Sequence, residues 1–128
     1  MNQTLRNILI VEDNAIIRGA LRQALELEGY EASEAADGLE ALSMMGQTLP
    51  DLILLDLLMP KMNGFEFVES LKKDPASPLA GIPIIAISAV ANAAEALRSK
   101  VQGIFSKPLD LDKLLSAIAR LFSGNLWE

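Results

Sequence analysis

Glu12 and Asp13 follow the apolar run Ile8–Val11, Asp56 follows Leu52–Leu55, Ser88 follows Pro83–Ile87, and Lys107 stands just beyond Ile104–Phe105. Three carboxylates gathered in one place would repel each other and push at least one pKa upward. A hard divalent cation removes that conflict, and an oxygen-only ligand set without His or Cys suits Mg2+. An ammonium and a hydroxyl beside such a centre match the needs of phosphoryl transfer, in which negative charge is spread over three oxygens that each want a cation or a donor. Asp56 is then the natural acceptor, forming an aspartyl phosphate. The cation would take one phosphoryl oxygen, Lys107 a second and Ser88 the third. Taken singly, each residue has a plainer reading. Glu12 and Asp13 can be solvated residues at a strand–helix junction, and Asp56 a strand-end acid that faces water or caps a turn. Ser88 can be a loop hydroxyl and Lys107 a surface lysine. Only their joint placement at successive strand ends makes a site.

The elements that must position these groups can be read from the pattern of apolar residues. Ile8–Val11 is a short run rich in branched residues, as in a strand buried on both faces. Asn14 can cap a following helix whose apolar positions are Ile17, Ala20, Leu21, Ala24 and Leu25, with Gly29 as its stop. Tyr30–Ala35 alternates in part, as an edge strand does. Asp37 through Glu40 resembles a capping box and opens a short helix carrying Leu42 and Met45 and ending near Gly46. Asp51–Leu55 reads as the third strand, and Met59-Pro60 and Asn63-Gly64 as turns. Phe65, Val68 and Leu71 form the next helical stripe, with Lys72 and Lys73 suited to its C-terminus. A loop from Asp74 to Gly81 leads to the strand Pro83–Ile87. Ala91–Lys100 then reads as a short Ala-rich helix and Ile104–Phe105 as a brief last strand. Asp110 caps a final helix with Leu111, Leu114, Leu115, Ile118, Leu121 and Phe122 on its apolar face; the tail after it is expected to fray. Strictly alternating strands and helices predict an α/β fold with a parallel sheet and helices on both faces. In such sheets ligands bind beyond the carboxyl ends of the strands, where all five polar groups would stand.

Composition narrows the classes. The chain has 128 residues, enough for one domain with a single core, and 51% of them are hydrophobic. A net charge of −6 argues against direct nucleic-acid binding. With no cysteine and no histidine, disulfides, thiolate or imidazole metal sites, His acid–base catalysis and an internal phosphohistidine are all excluded. The N-terminal apolar run is too short for a signal peptide, and no stretch reaches membrane-spanning length, so a cytoplasmic protein without membrane contact is expected.

The segments ILIVEDN, DLILLDLLMPKMNG, PIIAISA and SKP, in this order and spacing, resemble the receiver domain of two-component response regulators. The match covers nearly the whole chain, as a single domain over residues 1–128. The resemblance implies a flavodoxin-like (βα)5 sheet with strand order 2-1-3-4-5. It implies Asp56 as phosphoacceptor, Asp13 as a direct Mg2+ ligand, Glu12 as a second acid acting through water, and the Leu58 backbone carbonyl as a further ligand. Ser88 would be the switch hydroxyl and Ala89 the small residue that leaves room for the phosphoryl group. Lys107-Pro108 would be the family's cis peptide. Three departures stand out. Glu12 replaces a frequent Asp, and Ile104 stands where many receivers carry a switch aromatic, with Phe105 expected in the core. The segment between Ser88 and Lys107 is short and Ala-rich.

The expected function is a phosphorylation-dependent switch and not a turnover enzyme. A sensor histidine kinase or histidine phosphotransfer protein would supply the phosphoryl group, and a downstream protein effector would read the result. A homodimer is left open. Leu58 and Val90, two residues beyond Asp56 and Ser88, are apolar and are expected to hinder the water that hydrolyses the phosphoform. Two alternatives stand beside this reading. One is a receiver that acts only as a protein-interaction module. The other is a haloacid-dehalogenase-like phosphatase, which wants a second acid where Leu58 stands.

Overall fold

The three central apolar runs form strands because their residues can be buried on both faces. In the computed structural model, which describes residues 6–59, 62–89 and 95–124, they become β1 (Asn7–Val11), β3 (Leu52–Asp56) and β4 (Ile84–Ser88). β2 (Glu31–Ala35) and β5 (Gly103–Ser106) flank them. All neighbours pair in parallel, in the order β2-β1-β3-β4-β5. Successive side chains point to opposite faces, so each strand feeds two cores. Ile8, Ile10, Leu52 and Leu54 pack with Leu21, Leu25, Leu114 and Ile118. Leu9, Val11, Ile53 and Leu55 pack with Phe67, Val68 and Leu71. This double burial is why the central strands read as continuous apolar runs.

The helices start where the sequence offers an oxygen to their free N–H groups. Asn14 Oδ1 accepts from the backbone of Ile16 and Ile17 at the start of α1 (Ala15–Leu27). Asp37 Oδ1 accepts from Glu40 N at the start of α2 (Gly38–Met45), while the Glu40 carboxylate reaches back to Ala36 N. Asn63 and Glu66 close a full capping box on α3 (Gly64–Lys72). Asp110 caps α4 (Leu111–Ser123) by accepting from Lys113 N. Gly29, at φ 94°, lets the chain turn out of α1.

Several expectations need correction. Asp51 lies outside the third strand, where its carboxylate accepts from Asn7 N at 2.8 Å. Asp56 is inside that strand, as its last residue. Ile17, which lines an apolar cleft, is exposed at 38%, and Ile16 beside it at 84%. Phe67, and not Phe65, is the fully buried aromatic of α3. The helix expected over Ala91–Lys100 is, in its described part, a single 3-10 turn at Glu95–Leu97 followed by a turn to Lys100. The remainder, 91–94, lies outside the described residues, as do Pro60 and the tail beyond Gly124.

Candidate functional site

Strand order and register bring the polar strand ends together. Val11 pairs with Leu55, so the residues that follow β1 meet the end of β3. Asp56 pairs with Ile87, which sets Ser88 one step further along the neighbouring strand. Ser88 in turn pairs with Ser106, and its carbonyl accepts from Lys107 N at 3.0 Å. One carboxyl edge thus carries all five predicted side chains, at the position where strand order reverses between β1 and β3.

Carboxylate oxygens of Glu12, Asp13 and Asp56 lie within 4.8 Å of one another. Glu12 and Asp56 are buried and Asp13 is exposed, so the cluster is a crevice open on one side. Lys107 Nζ reaches in from β5 to 3.2 Å from Asp56 Oδ2 and 3.5 Å from Glu12 Oε1. Backbone groups complete the hold. Asn14 N donates to Glu12 Oε2 and Leu58 N donates to Asp56 Oδ1, each at 3.1 Å. Gly64 is required nearby, because a Cβ there would stand 2.5 Å from Leu57 Cα. The absent side chain lets α3 begin directly against the end of β3.

The electrostatics follow from this packing. Burial, reinforced by the charge of Asp56, raises Glu12 to about 7; the Asn14 N–H and the charge of Lys107 pull the other way. Burial works against the Lys107 ammonium as well. Its hydrogen bond to Asp56 and the charges of Asp56 and Glu12 outweigh that, and its pKa is raised. Three carboxyl groups thus share the crevice with one ammonium, and crowding of like charge is eased in part by a proton on Glu12.

Ser88 is buried and Ala89 beside it is exposed. The Leu58 side chain is exposed at 52%, while Val90 lies outside the described residues. Lys107-Pro108 is cis. Beside the acids an apolar cleft of about 210 Å³ is lined by Ile17, Leu21, Ile87, Pro108 and Leu109, with Glu12 and Lys107 at its polar margin.

Arg18 and Glu34 were not singled out from the sequence. Arg18 NH1 donates to the Glu12 carbonyl and Arg18 Nε to Glu34 Oε1, both at 2.8 Å. An arginine on a helix and a glutamate on an edge strand carry no local signal of such a tie. Only the parallel pairing of β1 with β2 puts them side by side.

Comparison with known proteins agrees with this architecture. The sequence profile of the response regulator receiver domain matches residues 8–119. The chain is 34% identical over 116 residues to the polar-differentiation response regulator DivK of Brucella anthropi, covering 88% of this chain and 93% of that protein. It is 32% identical over 121 residues to the DNA-binding dual master transcriptional regulator RpaA of Synechocystis, covering 89% of this chain but only 48% of that longer protein. Among solved structures, the signal receiver domain of a signal transduction histidine kinase from Syntrophus aciditrophicus superposes with a TM-score of 0.84 at 32% identity, over 96% of this chain and 94% of that one. A response regulator receiver protein from Pseudomonas putida superposes with a TM-score of 0.80 at 30% identity, over 93% of this chain and 99% of that one. With the family's sheet order, its profile along most of the length and relatives of this closeness, the chain belongs to the receiver domains of two-component response regulators.

Proposed function

We propose that this chain is a phosphoacceptor switch in which Asp56 takes a phosphoryl group from the phosphohistidine of a sensor histidine kinase or histidine phosphotransfer protein. We read residues 1–128 as one receiver domain, a reading supported by the single sheet and the two cores that share its strands. The observation that carries the proposal is Lys107 Nζ at 3.2 Å from Asp56 Oδ2, delivered from a different strand into a crevice of three acids.

The acids fit Mg2+. Their oxygens converge within 4.8 Å, none is a soft ligand, and their charge exceeds what Lys107 balances. Glu12, Asp13, Asp56 and the Leu58 carbonyl would hold the ion. When bound, it supplies charge neutralisation between the carboxylates and an incoming phosphoryl group. In the transfer an Oδ of Asp56 forms the P–O bond as the P–N bond to the donor imidazole breaks. The imidazole nitrogen leaves with the electron pair and then takes a proton. Lys107 and the Ser88 hydroxyl stabilise the charge on the phosphoryl oxygens. These 128 residues hold no histidine, so the donor imidazole lies outside them. Exposed Ile16 and Ile17, beside the apolar cleft, offer the donor protein a surface next to Asp56.

The phosphoryl group adds about −1.5 to −2 of charge at neutral pH. That charge draws on Ser88 and Lys107 and biases the segment that connects their strands between two arrangements. A downstream protein effector reads the change. We place this exchange in the cytoplasm, in keeping with described residues that contain no helix long and apolar enough to cross a membrane. The chain is thus a signalling domain that assists its own phosphorylation and dephosphorylation. Mass spectrometry after exposure to acetyl phosphate tests the proposal. One added phosphoryl group is expected with Mg2+, and none with chelator or in Asp56→Asn. Equal labelling of Asp56→Asn would refute it.

A further inference from the structure

The Arg18–Glu34 pair lies outside the acidic crevice and has no part in the transfer just described. Its geometry nevertheless bears on Asp13. Arg18, in the first turns of α1, has a side chain only 17% exposed. One of its nitrogens donates to the carboxylate of Glu34 on β2 and another to the backbone carbonyl of Glu12, both at 2.8 Å. That carbonyl belongs to the peptide that joins Glu12 to Asp13. The N–H of Glu12 is tied as well, to the Ala35 carbonyl at 3.1 Å. The chain is therefore pinned on both sides of Glu12 just before it presents Asp13.

Glu34 is itself held from two directions, since Arg22 NH1 donates to its second oxygen at 3.1 Å. The hydrogen bonds from Arg22 and Arg18 keep its carboxyl below the usual carboxylate range. A carboxylate so fixed aims the planar Arg18 fork, whose rigid spread of donors toward two partners a lysine's single ammonium does not reproduce. It also neutralises the guanidinium, so that Arg18 can sit behind the acids without supplying a rival charge for them.

We propose that Arg18, aimed by Glu34, is a positioning residue that orients the Glu12–Asp13 peptide and thereby sets the affinity of the acidic crevice for a divalent cation. This inference rests on the cation reading given above. Removal of groups that orient metal ligands typically lowers affinity about ten- to a hundredfold.

Mg2+ alone is the probe, titrated by calorimetry into the parent, Asp13→Asn, Arg18→Met, Arg18→Lys and Glu34→Gln. Thermal midpoints are measured in chelator and in saturating Mg2+. Arg18→Met keeps the alkyl stem and loses both hydrogen bonds. It is expected to weaken Mg2+ binding by about ten- to a hundredfold and to shrink the Mg2+-induced rise in midpoint. Arg18→Lys recovers part of the affinity, and Glu34→Gln loses less than Arg18→Met. A tie that serves only the fold would lower both midpoints equally and leave the affinity unchanged; that result overturns the proposal. If Arg18→Met does not fold, parent-like affinity in both Arg18→Lys and Glu34→Gln overturns it instead. A parent that does not bind Mg2+, or an Asp13→Asn variant that binds it as well as the parent, brings down the cation reading and this inference with it. Loss of affinity in Asp13→Asn with none in the Arg18 and Glu34 variants defeats this inference alone.

Discussion

The crevice between β1 and β3 and the connection from β4 to β5 both leave the carboxyl edge of one sheet, yet they are held in different ways. In the crevice, Glu12 and Asp56 are buried, and each is tied to a backbone N–H and to Lys107. The described part of the β4–β5 connection is one 3-10 turn and a following turn, anchored inward by Leu97 and Val101. Its one described ion pair, Arg98 with Glu95, lies at the surface. What separates the two places is the burial of their charges: the crevice acids Glu12 and Asp56 are buried, whereas the described ion pair of the connection faces water. We read the first as the chemistry of the domain and the second as its response.

If the crevice alone decides the chemistry, its variants should show the largest effects. Asp56→Asn is expected to abolish labelling by acetyl phosphate altogether, as read by intact-protein mass. Lys107→Met comes next. It removes the ammonium that faces two buried carboxylates and should slow labelling by about a hundred- to a thousandfold, the range seen when one charge-stabilising group is lost. Labelling at the parent rate in Lys107→Met would erase the distinction between the two regions.

The crevice was also the more legible of the two in the sequence. Buried parallel strands are continuous apolar runs, so their ends are marked by the first polar residue, and the ends are where a doubly wound sheet places ligands. Glu12, Asp13, Asp56, Ser88 and Lys107 could be chosen on that ground, and all five stand at one edge. An acid before an apolar run and one after it look alike locally, so Asp51 reads as strand as readily as Asp56; only pairing with β1 separates them. Ile17 stands at helical spacing with Leu21 and Leu25 and is nonetheless exposed, because spacing gives a face and not how deeply each position on it is buried. The Ala-rich segment misled for a related reason. Ala has high helix propensity but buries little surface, and a short helix depends on packing more than on propensity.

Gly64→Ala probes the support beneath Asp56. The added methyl would meet Leu57 Cα at 2.5 Å, which is backbone and cannot swing away. A loss of about 1–3 kcal/mol in chemical denaturation is expected. A parent-like midpoint would mean that the start of α3 gives way easily and that the crevice is less fixed than its hydrogen bonds suggest. Leu58→Asn should act on rate and leave stability alone. The Leu58 side chain is exposed at 52%, and its N–H, which holds Asp56, is kept in the variant. A polar group at this position can guide the attacking water, so the phosphoform should lose its label several-fold faster, and faster still when Val90→Glu is added. An unchanged decay would remove these side chains from the control of lifetime.

The smallest effect is expected where the connection carries its ion pair. Arg98 donates to Glu95 from two nitrogens, at 3.0 and 2.6 Å, geometry as close as any in the crevice. Yet the two side chains are 63% and 56% exposed. Water already solvates both charges, so forming the pair returns little of the entropy lost in ordering two long side chains. Arg98→Ala should therefore change stability by no more than about 0.5 kcal/mol, and the loss should fade further as salt is raised. The Lys107–Asp56 pair is longer, at 3.2 Å, but there the Asp56 side chain is only 5% exposed, and removing its partner leaves a charge that water solvates poorly. If Arg98→Ala proved as costly as Lys107→Met in the same denaturation assay, burial would not be what distinguishes the two regions. The β4–β5 connection would then have to be counted among the fixed parts of the domain.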